Sequence, residues 1–226
     1  MTSGALGEYT RALAEVRVLH KACPQSVRRL EDADLSRAIC RSGVVMLCSH
    51  FERYIRSANE ELVGWLNAQA LPADKYPLGV RLLHVRPSVE HLAEVQWDKR
   101  EKKLCEFVGD ESWMFTPGGS GAFEAQRLLS YMRSPKPKTL VRYYRGWGIV
   151  DIFKEITRKK RHEVHLRMGI QNIVDLRNNI AHGDYNTVTT RSDLSAMVGI
   201  AATFASRSDK ALGRAVSKVF GIARPW

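Results

Sequence analysis

Residues 166–185 read LRMGIQNIVDLRNNIAHGDY, from Leu166 to Tyr185, and the spacing of their apolar positions decides the fold class. At about 100° per residue around a helix, Leu166, Ile170, Ile173, Val174, Leu176, Ile180 and Ala181 fall within one broad arc. That arc predicts a helix with one buried face. Gly183 stands where it should end, because glycine takes up the left-handed backbone of a residue just past a helix without steric cost. Arg177 interrupts the arc, flanked by Ile173, Val174, Ile180 and Ala181 where an aliphatic residue belongs. A guanidinium cannot shed its proton, so it must find a carboxylate, a carbonyl or a bound anion.

His182 follows five residues after Arg177, which on an unbroken helix sets it about 140° round the axis. Two arrangements would bring both side chains to one atom. Either the helix unwinds before His182, helped by Gly183, or a second copy of the chain completes the site across a two-fold axis. The last-turn position also exposes His182 to the negative end of the helix dipole, which favours the imidazolium.

Working outward, residues 32–69 contain no proline and only two glycines. Leu35, Ile39, Val44, Leu47, Phe51, Tyr54, Ile55, Leu62 and Leu66 keep a helical beat through them. This is one very long helix, or two nearly collinear ones hinged near Gly43, and such length implies a bundle. Glu52 sits beside Phe51 and Ile55 and is the candidate partner for Arg177; the same letters fit a solvated glutamate paired with Arg53 or Arg56. Residues 6–22 form a further helix closed by Pro24, and Ser192 caps a helix or broken pair reaching about Gly221. No strand alternation and no internal repeat is visible. The fold expected is all-α: a single domain over residues 1–226, a bundle of long antiparallel helices with a partly helical, loop-rich insertion at about residues 71–148.

Within that insertion, residues 72–77 read as a loop and 78–85 as a short helix cut off by Pro87, after which Ser88 caps a helix over 89–97. DKREKKLCEFVG, residues 98–109, reads as an exposed helix edge. TPGGSG, residues 116–121, lacks the Lys and Ser or Thr of a phosphate-binding loop and is a turn. A short helix over 123–132 leads into SPKPKTL, residues 134–140, a proline-punctuated basic linker.

The formal charge is +11 and the pI about 9.7, which suits a polyanionic partner. Lys136, Lys138, Arg142 and Arg145 interleave with Tyr143, Tyr144 and Trp147. That mixture fits single-stranded nucleic acid, with cations on phosphates and rings on bases. It fits a buried helix face better, since the aromatic spacing is helical. Arg158, Lys159, Lys160 and Arg161 make the densest basic run, placed to steer a polyanion or simply to be solvated. His162 and His165 have helical spacing but no further ligands nearby, so neither metal nor cofactor is expected. Cys23, Cys40, Cys48 and Cys105 lack paired spacing and should be reduced and mostly buried. With no signal-peptide run and no segment long enough to span a bilayer, a cytoplasmic protein without membrane contact is expected.

RNNIAHG resembles the motif of the HEPN superfamily, whose helical bundles carry an Arg, a polar residue right after it and a His after a short gap. Arg177, Asn178 and His182 match it with a gap of four. LRNNIAHG is especially similar to the RiboL-PSP type, and VVMLCSHFERYIRSANEEL, residues 44–62, is similar to the long helix those proteins place before the motif helix. The resemblance implies a metal-independent endoribonuclease acting as a homodimer, with Arg177, Asn178 and His182 catalytic and Glu52 supporting. RNA would be the partner, held by Arg142, Arg145, Arg158, Lys159, Lys160 and Arg161. It further implies a toxin or anti-phage defence effector with an antitoxin or defence-system partner, or else a non-catalytic module that binds RNA or a protein. Some HEPN toxins carry a Tyr two residues after the His, where an antitoxin attaches nucleotides; here Tyr185 is three after His182, so that regulation is not predicted.

Overall fold

One unbroken helix of 39 residues, Leu30–Ala68, about 58 Å long, organises the chain. The computed structural model describes residues 1–25 and 29–226. In chain order its helices are α1 (Gly4–Ala22), α2 (Leu30–Ala68), α3 (Leu78–Glu94), α4 (Trp97–Glu111), α5 (Ala125–Leu128), α6 (Pro137–Gly146), α7 (Ile152–Glu155), α8 (Lys160–Ala181) and α9 (Arg191–Phe220). No strand occurs among the described residues, and the fold is all-α.

Gly43 is not a hinge in α2. A Cβ built there would lie 2.6 Å from Leu194 Cδ2, so glycine is what lets α9 approach so closely. On the same side α2 buries Val44, Leu47, Phe51, Tyr54, Leu62 and Leu66.

Pairwise contacts set the directions. The Gly4 and Ala5 N–H groups meet the Glu61 carboxylate at one end of α1, while Cys23 lies beside Cys40 at the other, so α1 runs antiparallel to α2. Glu52 faces Arg177 and Arg41 reaches Asp184, which makes α8 antiparallel to α2 as well. Leu194 against Gly43 and the Tyr54 hydroxyl on the Ala205 carbonyl (3.0 Å) run α9 parallel to α2. Aromatic rings fill the centre, with Phe204 in contact with Phe51, Tyr144 and Phe153.

Between α2 and α8 the chain carries α3 to α7 and two 3-10 turns, Ala73–Lys75 and Ser112–Met114. Two readings of this segment are corrected. Pro87 does not end a helix: α3 runs through it to Glu94. The missing N–H and the ring clash cost about 3 kcal/mol, and tertiary contacts on both sides of the proline offset this. Val80, His84 and Val85 are buried. Ser88, instead of capping a helix, joins a cluster in which the Arg127 guanidinium bonds both the Ser88 hydroxyl and the buried Glu111 carboxylate. His84, 1% exposed, accepts the Glu124 N–H at 2.9 Å, and burial together with Arg127 pushes its imidazole down to about 4.

The second correction concerns SPKPKTL. Pro137 opens α6 at its first position, where a missing N–H leaves no bond unmade. Helix α6 turns Tyr143 and Tyr144 into the core, and Trp147 follows them there. Helix α4 stays at the surface, burying only Glu111.

Candidate functional site

The last turn of α8 is closed by hydrogen bonds that overlap around Gly183. The His182 N–H donates to the Asn178 carbonyl (2.9 Å), the Gly183 N–H to Ile180 (3.1 Å) and the Asp184 N–H to Asn179 (3.0 Å). Gly183 takes φ of +81°, the left-handed residue this ending requires. His182 caps the helix with φ −85° and ψ 8°. Its N–H still closes the helical bond to Asn178, and the backbone leaves helical geometry at the His182 ψ and at Gly183. Unwinding before His182 does not occur, so the offset of about 140° from Arg177 persists within one chain.

Arg177 lies 3.4 Å from Glu52 through Nη2, and its Nη1 donates to Asn178 Oδ1 at 3.0 Å. The two charged side chains are only 30% and 23% exposed. Glu52 reaches this point because α2 brings it opposite α8, one turn after Cys48, whose thiol lies 3.8 Å from Oε1. Burial, then the neighbouring Glu52 charge, push the Cys48 thiol up to about 12, so it stays protonated. Asn178 and Glu52 together hold the guanidinium on the half-buried side of the helix end. His182 is exposed.

A shallow groove beside this pair is lined by Glu52, Ile55, Arg56, Leu129, Met132 and Arg133. Lys136, just ahead of α6, pairs with Asp175 of α8 at 3.1 Å. Two cations, Arg56 and Arg133, thus share the groove with Glu52. An anionic ligand entering the groove would meet Arg56 and Arg133.

None of the other basic residues singled out in the sequence lines this groove. Arg158 and Lys159 are exposed just ahead of α8 and Lys160 and Arg161 form its first turn, about 25 Å along the axis from Arg177. Lys160 is paired with Glu163 at 3.0 Å. Arg142 lies over the Tyr131 ring, and Arg145 donates to the Val150 carbonyl at 3.4 Å. The rings between them are core residues, with Tyr143, Tyr144 and Trp147 each no more than 2% exposed, so they offer no stacking surface.

The profile of one family, RiboL-PSP-HEPN, matches residues 8–214, from α1 to within α9. The chain belongs to the RiboL-PSP-HEPN family. Neither a curated protein nor a solved structure matches it. Membership in a HEPN family points to an RNase or RNA-related module.

Arg41 carries a part beside this candidate site that periodicity could not have shown. From α2 it donates to the Asp184 carbonyl (2.7 Å) and the Thr187 carbonyl (3.3 Å), bracing the turn that follows His182. The Asp184 carboxylate accepts the Thr187 hydroxyl (2.7 Å) and the Asn186 N–H (2.9 Å), and these bonds hold its carboxyl below the usual range. The one available signal was an Asp-x-x-Thr turn pattern after the helix-ending glycine. Among the described residues no cluster of three or more His, Cys, Asp or Glu is placed to hold a metal ion. Among them, too, no helix is long and apolar enough to cross a membrane.

Proposed function

We propose that this HEPN protein is a metal-independent endoribonuclease that cleaves RNA by attack of a ribose 2′-hydroxyl on the adjacent phosphate, in a site made by two copies of the chain. The observation that carries the reading is the end of α8. Arg177 and Asn178 are held together against Glu52, while His182, whose N–H closes the helical bond to Asn178, lies on another side of the same helix end.

The reaction needs a base for the 2′-hydroxyl, donors for a crowded anionic transition state, and a proton for the departing 5′-oxygen. Arg177 suits the non-bridging oxygens, since a guanidinium makes paired charge-assisted hydrogen bonds. Histidine changes charge near neutral pH, so His182 can accept the first proton, and the partner's His182 can supply the second. Asn178 holds the guanidinium plane. Every proton transfer has an acceptor or donor on the protein, and no step calls on a metal. A two-fold arrangement meets the angular offset directly, because each copy contributes its own face. The groove cations Arg56 and Arg133 would take flanking phosphates. An unrestrained nuclease would damage its own cell, which fits a toxin or anti-phage defence effector kept in check by an antitoxin or defence-system partner.

A second reading is favoured by one observation: Arg177 is already satisfied by Glu52 and Asn178. On that reading the protein is a non-catalytic module binding RNA or a partner protein. Incubating the purified protein with end-labelled single-stranded RNA in EDTA separates the two. Fragments ending in 2′,3′-cyclic phosphate support the nuclease. Salt-sensitive binding with no turnover supports the binding module.

A further inference from the structure

Tyr185 leaves 84% of its surface exposed, three residues beyond His182, on a turn held by several hydrogen bonds. Arg41 bonds two carbonyls of that turn, Asp184 and Thr187. The Asp184 side chain ties it internally through Asn186 and Thr187. The same Arg41 guanidinium lies 5.9 Å from the centre of the Tyr185 ring. Exposed aromatic rings give up the stabilisation that burial would supply, and this one is held out on a braced backbone. A fixed aromatic ring with a cation against it is how proteins stack single-stranded bases, because every base presents a flat π-face. The aromatics of α6 cannot serve, being buried.

We propose that Tyr185, backed by Arg41, is a stacking shelf for one base of the RNA, next to the phosphate handled by His182. This rests on the RNA-cleaving reading of the same site. Stacking is tolerant of base identity, so the shelf raises affinity for unpaired RNA and excludes duplex, whose bases already stack on each other. Arg41 acts as a positioning residue: it holds the turn and places its charge against the ring.

The test uses full-length protein and a fluorescein-labelled single-stranded oligoribonucleotide, with binding read by anisotropy in the His182→Ala background to prevent cleavage. Tyr185→Ala should weaken binding about fivefold or more, from the lower end of what one stacked base contributes, while Tyr185→Phe binds as the parent does. The slope of log affinity against log salt should not change, because the ring neutralises no phosphate. In the cleaving protein, Tyr185→Ala should raise KM with a smaller effect on kcat. Equal binding by Tyr185→Ala and the parent overturns the shelf while leaving the nuclease reading standing. So does a change of oligomeric state in Tyr185→Ala, which would make the ring an interface residue. Failure of the parent to bind RNA at all overturns both.

Discussion

Arg177 of α8 and Glu52 of α2 face each other at 3.4 Å across 125 residues of sequence. The pair is half-buried, so its attraction is screened and its loss should cost on the order of 1 kcal/mol rather than the several expected deep in a core. Glu52→Ala should therefore lower the urea midpoint only modestly, by about 0.3–1 M, but free the guanidinium to swing. RNA cleavage should drop roughly tenfold or more, since small misplacements of a clamping group are costly. An unchanged cleavage rate would remove Glu52 from the site.

Acid should weaken the fold through His84. In the unfolded chain its imidazole protonates near the ordinary 6.5, but in the folded chain only near about 4. The unfolded state thus binds more protons between those values. The stability tied to neutral His84 is complete above pH 6.5 and is lost as the pH falls toward 4, by about 3 kcal/mol in all. Denaturant midpoints compared at pH 7 and pH 4.5 should show this fall, and His84→Gln should reduce it. Parallel pH profiles for parent and variant would speak against it.

Phe204 is fully buried where α9 meets Phe51, Tyr144 and Phe153. Phe204→Ala should cost about 3–5 kcal/mol, by lost transfer energy and the cavity left behind. Chemical denaturation monitored by circular dichroism measures it.

The cysteines should separate by reactivity. Cys105 is exposed, while Cys23, Cys40 and Cys48 are buried. Cys40 is pushed up to about 11 by burial and then by Cys23, whose sulfur lies 3.6 Å away. Iodoacetamide labelling of the native protein, read by mass spectrometry, should modify Cys105 first and the other three only on unfolding.

Much of the fold was legible because helical periodicity is local. The run from Val44 to Leu66 repeats its apolar positions for many turns, and α2 follows it without a break. Pro87 was misread because its local cost is real, and the contacts that offset it come from Glu111 and Arg127, brought close only by folding. The site divides in the same way. Arg177 drew notice as a charge on an apolar arc, and the helix end could be read from Gly183. The approach of Glu52, and the reach of Arg41 to the Asp184 carbonyl over 143 residues, depend on how α2 and α8 align, which no local pattern encodes. The aromatic and basic mixture of residues 142–147 was ambiguous for the converse reason. A ring spaced for a helix face is equally fit to stack on a base or to fill a core, and burial decided for the core.

Cleavage of single-stranded RNA by purified His182→Ala and Arg177→Ala, beside the parent protein in EDTA, tests the proposed nuclease most directly. His182 is exposed, so His182→Ala should keep the parent's circular dichroism and melting behaviour. Both variants should lose turnover by at least a hundredfold, in keeping with the loss of an acid–base group or a transition-state clamp. RNA cleavage that persists undiminished in His182→Ala would contradict the assignment.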